Sequence, residues 1–177
     1  MWNSAGFRAS ATSTPAKFGF LDSQFPNGGF NIAAILETHH KDEQDYSEEL
    51  GHFCKTHNIF HSPVRNETHS GVIVLISKDF EIIRHSEPLP GRLMNFLVKK
   101  TGKTLNFSVF YGHQWAKMNN EDIITVLKEF DNRQDPADKH VIMGDFNFEE
   151  VDIDKGKGMS AKDRMIKPHW DRITTEH

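Results

Sequence analysis

Cysteine is almost absent from this sequence, and the single Cys54 excludes an internal disulfide framework. One thiolate is also too little for a structural zinc site, and on the apolar side of a helical pattern Cys54 reads as core packing. No apolar run approaches the ~20 residues needed to cross a bilayer. The opening Met1-Trp2-Asn3-Ser4 has neither the basic nor the apolar part of a signal peptide. The expectation is an intracellular protein, the nucleus included, with no membrane partner. Internal repeats and low-complexity tracts are lacking, which excludes repeat architectures. Basic charge is not in excess either: the formal net charge of −4 does not by itself advertise a nucleic-acid binder. Its distribution is uneven. Acidic residues crowd 37–49, and Lys155, Lys157, Lys162, Arg164, Lys167 and Arg172 mark a basic tail that suits a solvated helix face or contact with phosphate.

What is present is a globular composition, 37% hydrophobic and 26% charged with 14 Phe over 177 residues, enough for one domain with a real core. Residues 1–177 are therefore read as a single domain. Strand and helix signals alternate, which favours a layered α/β architecture. Pro15, preceded by Ser13 and Thr14, starts a helix whose Phe18, Leu21 and Phe25 share a face until Pro26-Asn27-Gly28-Gly29 ends it. Ile32–Leu36 is a continuous apolar run, as in a strand covered on both faces, and it delivers Glu37 at its carboxyl end. A helix over about 42–57 follows, with Tyr46, Leu50, Phe53, Cys54 and, at the edge of the face, His57. Val72–Ile76, Phe80–Arg84, Leu93–Val98 and Leu105–Phe110 are short β-rich runs that read as an antiparallel meander. Asn119 or Asn120 caps a helix with an acidic first turn, Glu121-Asp122, and an apolar stripe of Ile123, Ile124, Leu127 and Phe130. A last strand, Val141-Ile142-Met143, runs into Gly144-Asp145-Phe146-Asn147.

Two carboxylates, Glu37 and Asp145, thus stand at the ends of buried strands, where side chains converge on a common crevice. Hard cations such as Mg²⁺ take one or two protein carboxylates and keep water and substrate phosphate in their other positions. Gly144 would let the backbone turn, and the Asn147 amide can reach a phosphate oxygen or an attacking water. Alone, Gly-Asp-Phe-Asn is more often a turn device than a catalytic pair. His39 and His40 are adjacent, so on a strand they would point to opposite faces and not share a zinc ion.

The ordered set Trp2-Asn3, Leu36-Glu37-Thr38-His39, Gly71–Ser77, Val109-Phe110-Tyr111 and Met143-Gly144-Asp145-Phe146-Asn147 resembles the endonuclease/exonuclease/phosphatase superfamily. Its wording is most similar to the apurinic-endonuclease-type domain of LINE-type retrotransposons; Asp154, Asp163, Arg164 and Pro168-His169-Trp170 look like that branch less specifically. The resemblance implies a four-layer α/β/β/α sandwich and a divalent-metal-dependent phosphodiesterase, a DNA endonuclease using Mg²⁺ or Mn²⁺ with DNA as partner. It makes Glu37 the metal-binding carboxylate, Asn3 a supporting polar residue, Asp145 the group that orients or deprotonates water, and Asn147 and Tyr111 contacts to the scissile phosphate. The plain readings stand beside these: backbone satisfaction for Asn3, an amphipathic strand end for Tyr111, a rim charge for Glu37. His113 takes a loop position with no inferable role. The family's closing Ser-Asp-His segment has no counterpart here, so the resemblance implies a domain truncated before its last strands, with exposed sheet edges and metal binding that outlasts turnover. A non-catalytic scaffold of the same fold, or a phosphatase of small phosphate esters or phosphoinositides, are the alternatives.

Overall fold

Two sheets of four strands make up the centre of the computed structural model. The structure describes residues 1–3, 29–39, 50–51, 53–63, 70–112, 118–131 and 137–146, with helical positions 164, 167, 168 and 171. In the first sheet β1 (Trp2–Asn3) runs parallel to β2 (Ile32–Leu36), and β4 (Val72–Ser77) pairs antiparallel with both β2 and β3 (His57–Ser62). In the second, β5 (Glu81–Leu89), β6 (Leu93–Lys100) and β7 (Lys103–Tyr111) form an antiparallel ribbon, and β8 (Lys139–Asp145) joins β7 in parallel.

Strand alternation builds the layers. Ala34, Leu36, Val72, Val74 and Ile76 of the first sheet meet Met94, Phe96, Val98, Phe107, Val109 and Tyr111 of the second in the core between the sheets. The intervening Ile35, Ile73 and Leu75 point outward onto Leu50 and Phe53, the latter in the short helix α1 (Phe53–Thr56). On the far side Leu93 and Phe110 pack under α2 (Asn120–Asp131), through Ile123, Val126, Leu127 and Phe130. The order is helix, sheet, sheet, helix, the four-layer sandwich expected from the sequence. Strand β4 reads as unbroken apolar sequence because both its faces are covered.

The starting residue of α2 is set by Asn119, whose Oδ1 accepts the Asp122 N–H at 2.8 Å. Lys100-Thr101-Gly102-Lys103 turns β6 into β7 with φ of 50° and 80° at its two central residues, the hairpin turn that suits twisted strands. Strand β5 carries a register shift between Ser86 and Leu89, where Pro88 has no N–H to give the ladder.

Four expectations need correction. His57 is not the edge of a helical face: it opens β3, is buried, donates Nε2–H to the Phe30 carbonyl at 3.0 Å and accepts from Thr56 Oγ1 at 2.8 Å. Strand β3 went unread because its polar and apolar residues give only the weak pattern of a sheet edge. The meander is divided, since β4 belongs to the first sheet and β5 to the second. Ile124 is 41% exposed and Val126 takes its place on the buried stripe. Gly144 has no left-handed backbone; its Cβ would instead collide with the Phe110 carbonyl on β7, so glycine is required there by close approach of strands. Cys54 packs partly buried against the α1 core, as expected. Of the basic tail, Arg164 and Lys167 are exposed on helical positions and Lys167 pairs with Asp171 at 3.0 Å, the solvated-face reading. The helix expected from Pro15 and residues 42–49 lie outside the described residues.

The packing predicts a sharp contrast between two apolar truncations. Phe107 is buried and stacks on Phe96 with ring centroids 5.0 Å apart. Phe107→Ala should cost about 3–5 kcal/mol by urea unfolding, and Ile124→Ala at most about 0.5 kcal/mol.

Candidate active site

Strands β2, β7 and β8 end side by side at one end of the gap between the sheets, and each brings a polar side chain there. Tyr111 is the last residue of β7 and continues the inward-facing series Leu105, Phe107 and Val109. Asp145 closes β8 directly opposite Tyr111 in register, and its neighbour but one, Met143, packs into the same inter-sheet core. Paired residues of parallel strands share a face, so Asp145 is aimed into the gap with Tyr111.

Glu37 arrives by a different device. Leu36 faces inward, so simple alternation would send Glu37 out. Glu37 instead adopts φ 59°, a left-handed conformation that costs a non-glycine residue on the order of 1 kcal/mol. The Tyr111 hydroxyl then donates to its carboxylate. His39, also left-handed at φ 60°, places Nε2 3.1 Å from Glu37 Oε1, where the Nε2–H tautomer donates. The strained turn is held by two backbone bonds, Thr38 N–H to Gly71 C=O at 3.1 Å and His39 N–H to Ser70 C=O at 2.9 Å. Gly71 is glycine for two reasons: its φ is 102°, and a Cβ would strike Thr38 Oγ1.

Burial keeps the proton on Tyr111, and the negative charges of Glu37 and Asp145 add to that, so its pKa stands well above the ordinary tyrosine value; Arg92 opposes them. Arg92 was not singled out from sequence. It is buried as the last residue of the β5–β6 turn, and its carbonyl accepts the Tyr111 N–H at 2.8 Å. A charged residue directly after a turn glycine and before a strand was the only signal for it. Asn3 lies in β1 at the register position beside Leu36, one residue before Glu37. Asn147, His113 and His40 lie outside the described residues.

The structure therefore brings together Glu37, Tyr111 and Asp145, with Arg92 and His39 beside them. Among the described residues no three His, Cys, Asp or Glu side chains form a closed metal cage. The donor chemistry nonetheless fits a hard divalent cation, which needs only one or two carboxylates from the protein and open positions for water and phosphate. The field of Glu37 and Asp145, strong enough to oppose ionisation of Tyr111, is the field such a cation would offset.

This cluster has a consequence for stability at high pH. Because the folded pKa of Tyr111 is raised, its contribution is fully present below the unfolded value of about 10 and is lost as pH rises from there through the folded value. Unfolding free energy should fall as pH rises above about 10 in the parent chain and fall less in Tyr111→Phe. Equal slopes for the two would show that Tyr111 is not so placed.

No family model matches the chain, and no curated protein matches it in sequence. Solved structures do match in fold. Zebrafish (D. rerio) TDP2 complexed with single strand DNA product superposes with a TM-score of 0.61 at 14% identity, covering 90% of this chain and 64% of that one. The AP endonuclease LMAP from Leishmania major gives 0.63 at 16% identity, covering 99% and 63%. The endonuclease domain of TRAS1, a telomere-specific non-LTR retrotransposon, gives 0.57 at 13% identity, covering 90% and 64%. The chain thus spans less than two thirds of the length of each. Two face-to-face sheets flanked by helices are the endonuclease/exonuclease/phosphatase fold that these structures share.

Proposed function

We propose that this chain carries the centre of a divalent-metal-dependent phosphodiesterase acting on DNA, of the retrotransposon-endonuclease type. The observation that supports it most is the meeting of Glu37, Tyr111 and Asp145 at one end of the inter-sheet gap. Three different strands deliver these side chains, one of them through a strained turn, and strain of that kind is characteristic of functional sites. The match to a TDP2 holding a DNA product, to an AP endonuclease and to a retrotransposon endonuclease domain supports DNA as the partner.

In this reading Glu37 would hold Mg²⁺ or Mn²⁺, which when bound supplies charge neutralisation on the non-bridging phosphate oxygens. Asp145 orients the attacking water and accepts its proton as the water oxygen bonds to phosphorus; the ester P–O bond in line with it breaks, and the leaving alkoxide takes a proton from solvent. Tyr111, kept neutral by its surroundings, retains the O–H that it gives to Glu37, and that O–H would pass to a phosphate oxygen if Glu37 turned to a cation. Arg92 adds a fixed positive charge behind Tyr111. The resemblance would add Asn3 as a polar residue supporting the site and Asn147 as a contact to the scissile phosphate.

The test is nicking of supercoiled plasmid with and without Mg²⁺. The expected result is slow, Mg²⁺-dependent nicking that falls by ~10²–10³ in Glu37→Gln and in Asp145→Asn. Folded protein whose nicking is indifferent to metal or to both substitutions would refute the assignment.

A further inference from the structure

A chain of hydrogen bonds leads away from the candidate active site to the opposite edge of the sandwich, where β3 and β5 face each other across the gap. Ser62, the last residue of β3, is fully buried. Its hydroxyl donates to Glu87 Oε2 on β5 at 2.9 Å and accepts the Gly91 N–H at 2.6 Å. A hydroxyl serves both ends of this arrangement from a single oxygen, which donates and accepts at once. Glu87 sits in the register shift beside Pro88, and the alternation that turns His85 onto Phe96 turns Glu87 toward the first sheet as well.

From Gly91 the connection divides. Its carbonyl accepts the Gly71 N–H at 2.8 Å, and the Gly71 carbonyl accepts the Thr38 N–H, the residue after Glu37. One residue on, the Arg92 carbonyl accepts the Tyr111 N–H. The β5–β6 turn is closely enclosed, for a Cβ on Gly91 would lie 2.9 Å from the Pro63 carbonyl and 3.1 Å from Ser70 Oγ, and its φ of 76° favours glycine. Displacing this turn displaces both backbones that present Glu37 and Tyr111.

We propose that Ser62 and Glu87 are positioning residues: through the β5–β6 turn they hold the Glu37 loop of one sheet in register with Tyr111 of the other. The functional part of this proposal rests on the phosphodiesterase reading of the cluster; the structural part rests on the hydrogen bonds alone. Groups that orient metal ligands from behind typically change metal affinity by ~10–100-fold when removed.

The experiment uses the full chain with Ser62→Ala, Ser62→Thr and Glu87→Gln, and reads site-resolved amide hydrogen exchange together with Mn²⁺ binding by electron paramagnetic resonance. In Ser62→Ala, exchange should accelerate about 10-fold or more at Gly91, Gly71 and Thr38 while Val74 and Val109 stay protected. Mn²⁺ affinity should weaken about 10-fold or more. Ser62→Thr, which keeps the hydroxyl, should restore both, and Glu87→Gln, which keeps an acceptor oxygen, should give a smaller change of the same pattern. Unchanged exchange at the three amides, or equal acceleration at Val74 and Val109, would overturn the proposal, as would altered exchange with unaltered Mn²⁺ affinity. A parent chain that binds no Mn²⁺ would count against the phosphodiesterase reading, and the exchange pattern would still decide whether Ser62 holds the turn.

Discussion

Gly71 gives its N–H to the Gly91 carbonyl at 2.8 Å, and with that bond the start of β4 in one sheet is tied to the β5–β6 turn of the other. Apolar packing between the sheets is non-directional and would hold them together at many offsets. A backbone hydrogen bond is directional, and here it sits at the end of the gap where the polar side chains gather. The left-handed residues Glu37 and His39 are pinned through Gly71 and its neighbour Ser70, and Tyr111 is pinned through Arg92, the residue after Gly91. Both glycines are needed for backbone conformation and for space, so neither side of the bond tolerates a Cβ without movement.

The electrostatics of the cluster follow from this closure. Two carboxylates and a tyrosine brought into a partly dry gap cannot all be charged cheaply, and the proton stays on the weakest acid, Tyr111. The result is a neutral donor flanked by negative charge, with Arg92 buried behind it and His39 against Glu37.

Much of this was legible in the sequence because buried strands advertise themselves. Ile32–Leu36, Val72–Ser77 and the alternation ending in Tyr111 could be read from apolar pattern alone, and with them the places of Glu37 and Tyr111 at strand ends. The edge strand His57–Ser62 could not, because an edge needs only one good face and tolerates polar residues on the other. Nor could the division of the β-rich run between two sheets, since a short turn at Lys78-Asp79 looks the same whether the chain folds back or crosses over. The register that sets Tyr111 opposite Asp145, and the turn that aims Glu37 inward, are written in backbone hydrogen bonds and carry no side-chain pattern. Arg92 and Ser62 were missed for the same reason, both acting on backbone groups of distant segments.

The sandwich brings Glu37 and Tyr111 from separate sheets into direct contact, and a double-mutant cycle on unfolding free energy tests this most directly. Glu37→Ala, Tyr111→Phe and the double variant would be compared with the parent by urea denaturation at neutral pH. A hydrogen bond from Tyr111 to an ionised Glu37 predicts a coupling of about 1.5–3 kcal/mol. Additive effects, with a coupling within about 0.3 kcal/mol of zero, would show that the two side chains do not meet and that the site is not assembled as described.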